Sequence, residues 1–163
     1  MENKLIKVLI GFICFVIGVG MGFVLLFCIV SAHHPVTFQS MLFTPVYHIV
    51  SDNFVNDEEV IRIAEFCSVF ENETLVDCVL AQVPYNSDNY NSSNKSYYIR
   101  TPKESLEGGM VCRDYATTLA SIFKRLGWEV EFRFLRTHVS ITAHKENPFI
   151  YCNINEGISE CWQ

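Results

Sequence analysis

Residues 8–30 hold no charged side chain and consist only of Val, Leu, Ile, Phe, Gly, Cys and Met. At 1.5 Å per residue a helix over this run is roughly 34 Å long, enough to cross a hydrocarbon core of about 30 Å. Within lipid a single segment satisfies its own backbone polar groups only as a helix. The run can also be read as a cleaved signal peptide, with Lys4 and Lys7 as its basic start and Val30-Ser31-Ala32 as the cleavage site. Signal cores hold about 7–15 apolar residues, and this one is longer, so a retained transmembrane helix is expected. After Lys7 the next Lys or Arg is Arg62. The positive-inside bias therefore puts the N-terminus in the cytoplasm and the rest of the chain outside, as a single-pass protein. Gly18 and Gly22 form a small-xxx-small pair that would let two such helices approach as a homodimer.

That division leaves room for one small domain: residues 1–32 as membrane anchor, 33–54 as linker and 55–163 as the domain. The net charge of −6 and the pI near 5.3 argue against nucleic acid as a partner, and no basic patch is interleaved with aromatics. Of seven cysteines, Cys14 and Cys28 fall in the apolar run, where they behave as small apolar residues. Cys67 with Cys78, and Cys152 with Cys161, are close enough in sequence to pair, although spacing does not fix connectivity. Those pairings would leave Cys112 free. Sequons at Asn72, Asn91 and Asn94 are compatible with an exterior domain.

The linker contains His33-His34-Pro35 and several apolar residues, including Phe38, Met41, Leu42 and Phe43. No Cys or carboxylate stands at ligand spacing from the His pair, so a membrane-proximal tether is the reading, part of it packed on the domain or resting at the lipid surface. Asn56 or Asp57 can cap a helix through Val60, Ile61, Ala64 and Phe66. A second helix is expected over 74–83, ended by Pro84, then a Tyr-, Asn- and Ser-rich surface loop to residue 96. Thr101-Pro102-Lys103-Glu104 has the form of a capped helix start. Gly108-Gly109 leads into the main helix, 111–126, which Gly127 stops. Val130, Phe132 and Phe134 then alternate with charged residues as a strand. Residues 138–143 and 149–155 give two more strands, and residues 144–148 turn the chain between them. Helices followed by an antiparallel sheet make the fold class α+β.

Cys112 stands at the start of the main helix, where unpaired N–H groups and the positive dipole end favour a thiolate. It shares a helix edge with Tyr115, so it should face the sheet. His138, Ser140 and Thr142 share one strand face, polar enough to line a cleft, opposite the apolar Val139, Ile141 and Ala143. His138 is therefore the expected partner of Cys112. A third residue should orient the imidazole. If Glu146-Asn147 forms the turn, Asn155 falls opposite His138; if the turn is one residue earlier, Asn153 does.

Gly108-Gly109-Met110-Val111-Cys112-Arg113-Asp114-Tyr115-Ala116, with Leu119-Ala120, resembles the core of the transglutaminase-like superfamily, in which a nucleophilic Cys opens a helix after a Gly-containing turn. Thr137-His138-Val139 resembles the family's His strand, and residues 151–155 resemble its next strand, which usually ends in Asp. Tyr85 and Asp88 resemble an upstream element more loosely. The resemblance covers about residues 55–155 and implies a papain-like domain with Cys112, His138 and Asn155 as catalytic residues and no cofactor. Two features depart from the pattern: the Gly lies one place further from the Cys, and Asn replaces Asp. An Asn holds an imidazole by hydrogen bonding, but stabilises imidazolium less than a carboxylate would.

The family implies acyl transfer through a thioester on peptide or protein amide bonds. Cys112 would attack, His138 would protonate the leaving amine, and water or a second amine would complete the reaction. With no second-substrate module evident, hydrolysis is favoured over cross-linking. The Cys112 N–H and Gln82 are candidate oxyanion donors. The alternative class is an inactive domain serving as an extracytoplasmic protein-binding module. No metal site is expected, because Cys-x-x-Cys spacing is missing and His48 and His144 stand alone.

Overall fold

The computed structural model describes residues 18, 19, 21, 22, 35–86, 98–135, 138–146 and 149–162. The chain divides into two compact units, residues 1–38 and 39–163. In the first, Gly18, Val19, Met21 and Gly22 are helical. Among the described residues no helix is long and apolar enough to cross a membrane. The rest of the apolar run at 8–30, His33-His34, Asp88, and the sequons at Asn91 and Asn94 lie outside the described residues.

The second unit is α+β. Its described residues form helices α1 (Pro35–Phe54, entering from the first unit), α2 (Glu58–Cys67), α3 (Asn72–Gln82), α4 (Pro102–Gly108) and α5 (Cys112–Arg125). An antiparallel meander follows: β1 (Glu129–Leu135), β2 (His138–Glu146), β3 (Phe149–Asn155) and β4 (Ile158–Trp162), in that spatial order.

Helices α2 and α4 start where a side chain satisfies one of the first backbone N–H groups. The Asp57 carboxylate accepts from the Glu59 N–H at 3.0 Å and caps α2. Its buried residues, Val60, Ile63, Ala64 and Cys67, recur at helical spacing. Helix α4 opens with a capping box between Thr101 and Glu104 and with Pro102 in its first turn. Helix α5 is the central element, burying Tyr115, Leu119, Ile122 and Phe123 among others. Each such large apolar side chain contributes about 1.5–3 kcal/mol by leaving water. Gly127, at φ +78°, then takes the left-handed conformation that ends the helix.

The sheet buries Val130, Phe132, Val139, Ile141, Ala143, Ile150, Cys152 and Ile154 in the same core as α5. Disulfides join Cys67 to Cys78, between α2 and α3, and Cys152 to Cys161, between β3 and β4. Cys112 is a free thiol.

Four local expectations change. The tether over 33–54 is helical from Pro35 to Phe54. From residue 43 on, Phe43, Tyr47, Val50 and Phe54 repeat every three or four residues, and interior Pro45 masks that period in the sequence. Strand β4 was not anticipated, because its exposed pattern offers no buried alternation. The β2–β3 hairpin has neither expected register: Glu146 pairs with Phe149 and Thr142 with Asn153. The residues between Glu146 and Phe149 are Asn147 and Pro148, and proline suits a connection better than a ladder position. Asn155 is therefore level with Ser140 rather than with His138. Finally, Ser140 and Thr142 are buried rather than part of a polar cleft wall.

Candidate functional site

A cleft of about 760 Å³ opens on the second unit, and both Cys112 and His138 line it. Its other walls are mainly apolar: Phe43, Val46, Tyr47 and Val50 from α1, and Phe134 and Leu135 from β1. Cavities of this size suit small ligands or a few residues of peptide. The α1 wall is fixed by aromatic contacts. The Tyr47 ring meets Phe132 at 5.3 Å and Phe134 at 5.2 Å, both edge-on. Phe43, Val46 and Leu135 remain about half exposed and form the lips.

Cys112 is the first residue of α5, half-buried, with Val111 as the N-cap. The turn before it is anchored by Asp114, whose Oδ2 accepts from the Val111 N–H at 3.4 Å. Its Oδ1 accepts from the Arg100 N–H at 3.2 Å, which ties the segment before α4 to the start of α5. Arg113 also lines the cleft, with Nε 3.5 Å from Asp114 Oδ1. The first-turn N–H groups of α5 have no acceptor within their own helix, as at any helix start.

His138 opens β2 and pairs with Leu135 at the end of the β1–β2 ladder. Its Nδ1 lies 3.5 Å from Glu156 Oε1. Its Nε2 is buried and meets no hydrogen-bond partner among the described residues. One nitrogen thus faces a carboxylate while the other is uncommitted, the division of labour a general base requires.

Two phenols, Tyr47 in the cleft and Tyr85, lie within electrostatic reach of the thiol. Burial raises the Tyr47 pKa, and the charges of Cys112 and Asp114 add to the rise against the opposing effect of Arg113. Burial also raises the Tyr85 pKa, as do the charges of Glu156 and Cys112. Tyr85 also packs edge-on against Tyr115 at 5.2 Å.

Asn155 is exposed at the end of β3, paired with Ile158 of β4, and the imidazole meets Glu156 instead. Asn153 pairs with Thr142 and Glu160. Gln82 does not line this cleft; it lines a separate cavity of about 370 Å³ with Arg62 and Lys103. Among the described residues no group of three His, Cys, Asp or Glu could hold a metal ion. Sequence reasoning missed Glu156 altogether: Gly157 is a turn residue, but Glu-Gly is not one of the pairs that mark a two-residue hairpin turn. No protein-family model matches the chain, and no curated protein or solved structure matches it either.

Proposed function

We propose that the domain is a cysteine-nucleophile acyl-transfer enzyme acting on peptide or protein amide bonds, with hydrolysis as the outcome. The observation that carries this reading is the free thiol of Cys112 lining the same cleft as His138. The resemblance of residues 108–116 and 137–139 to the transglutaminase-like core supports it. In the reaction, the Cys112 sulfur bonds to the carbonyl carbon as the C–N bond breaks, and His138 passes its proton to the departing amine. Water, deprotonated by His138, then attacks the thioester, releasing the carboxylic acid and restoring the thiol. The Cys112 backbone N–H is the oxyanion donor at hand. The apolar walls and lips select substrates with bulky apolar side chains beside the reacting carbonyl. The 8–30 segment would hold the domain at the outer side of a membrane, with Gly18 and Gly22 available for pairing of two anchors.

The test is alkylation of the full-length chain with iodoacetamide across pH, with disulfides intact and label assigned by mass spectrometry. Cys112 should react readily at neutral pH, and His138→Ala should slow it by about tenfold or more. Equal rates in the two proteins, or an inert Cys112, would overturn the enzyme reading. The cleft would then be a binding groove for an apolar protein segment, the function its exposed lips allow.

A further inference from the structure

We propose that Glu156, rather than Asn155, is the positioning residue for the His138 imidazole, carried on a hairpin turn whose backbone conformation favours other residue types. This rests on reading Cys112 and His138 as a reacting pair.

Three independent features converge on Glu156. Its carboxylate is 3.5 Å from His138 Nδ1, leaving the buried Nε2 as the nitrogen that exchanges protons. A carboxylate in that place fixes the tautomer with hydrogen on Nδ1 and stabilises the imidazolium formed when Nε2 takes up a proton. It thereby supplies the charge that an Asn at the third position lacks.

The second feature is the backbone. Asn155 pairs with Ile158, so Glu156 and Gly157 alone make the β3–β4 turn. Both have positive φ, +46° and +83°, the signature of a type I′ turn. Gly at the second place is what such a turn selects. Glu at the first is not: Asn, Asp and Gly fill it at lower cost, and a left-handed non-glycine residue costs about 1–3 kcal/mol. A purely structural turn would gain by exchanging this Glu, so its side chain has a use beyond the turn.

The third feature is the support beneath the turn. A Cβ on Gly157 would sit 3.8 Å from Tyr85 Cβ and 3.9 Å from the Tyr115 hydroxyl, so the two packed tyrosines lie directly against it. Burial raises the Tyr85 pKa and the nearby Glu156 carboxylate adds to the rise. The turn is thus seated on α5, the helix that bears Cys112, through Tyr115. Among the described residues, the ionisable groups that line the cleft with His138 are Cys112 and Arg113 from α5, Tyr47 from α1 and Tyr98, while Glu156 lies against Nδ1.

The experiment compares Cys112 alkylation against pH, and thermal stability, in the full-length wild type and in E156Q, E156N, N155A and His138→Ala. E156Q keeps the size of the side chain and loses its charge. It should slow labelling at neutral pH roughly three- to tenfold and move the pH profile toward that of His138→Ala. E156N should slow labelling as well while raising the Tm by about 2–5 °C, because the turn accepts Asn more readily. N155A should label as wild type does. If His138→Ala is slow but E156Q and E156N label like wild type, the role of Glu156 is overturned and the Cys112–His138 pair stands. Likewise, if N155A alone reproduces the His138→Ala profile, Asn155 is the positioning residue. If His138→Ala labels like wild type, the reacting pair itself fails, and the role of Glu156 with it.

Discussion

Asp114 has no exposed surface, yet it places a carboxyl group in a core of aliphatic and aromatic side chains. Two backbone N–H groups, of Arg100 and Val111, donate to it, and the Arg113 guanidinium forms an ion pair with it at 3.5 Å. Its place in the first turn of α5 adds the favourable end of the helix dipole. Removing the carboxylate leaves two backbone donors without their acceptor, one of them in the turn that presents Cys112. Asp114→Ala should therefore cost about 3 kcal/mol in urea unfolding. It should also slow Cys112 labelling, because the thiol loses its fixed starting point on the helix. Asp114 stands in the motif read from the sequence, but nothing there tells a buried anchor from an exposed acid in a first turn. Glu156 was illegible for a related reason. Its contact with His138 depends on a turn between two strands, one of which leaves no trace in the hydropathy pattern.

Helix α1 shows how a segment acquires its conformation from what it packs against. Its Ser51 is fully buried, and the Ser51 carbonyl accepts from Ser121 Oγ at 3.0 Å. Lys124 Nζ lies 2.7 Å from both Ser51 Oγ and Asp52 Oδ1, and 3.3 Å from His48 Nδ1. Burial and the nearby Lys124 ammonium lower the His48 pKa, with Asp52 and Glu131 opposing. A depressed pKa means that the folded state prefers neutral imidazole. The stability it contributes is complete above the unfolded value of about 6.5 and is lost as the pH falls through the lower folded value. Unfolding midpoints measured between pH 8 and pH 5 should fall in the wild type, and His48→Gln should reduce that slope. The helices after α1 and the strands β1, β2 and β3 were legible in the sequence, through their periodicity, caps or flanking turn residues. Helix α1 was not, because its apolar spacing is broken by Pro45 and its partners, Ser121, Lys124, Phe132 and Phe134, lie far along the chain. The β2–β3 register also escaped, since hydropathy fixes which face is buried and a shift of two residues leaves that unchanged.

At the scale of the whole molecule, two disulfides brace a unit in which one helix, α5, organises most of the core. The Cys67–Cys78 link ties α2 to α3 across a separation of 11 residues. Replacing both cysteines by Ser should cost about 2–4 kcal/mol, read as a lower urea midpoint. Labelling of Cys112 under native conditions should be unchanged, because neither cysteine lines its cleft. The second disulfide acts differently. Strand β4 buries none of its residues, so hydrophobic patterning does not decide where it stops along β3. Cys161 pairs directly opposite Cys152, and the covalent bond makes that alignment compulsory. The strand is therefore indexed like a tooth on a rack. With that tooth engaged, only Glu156 and Gly157 remain to reverse the chain, and sliding β4 by a notch to give Glu156 an easier backbone would require breaking a sulfur–sulfur bond.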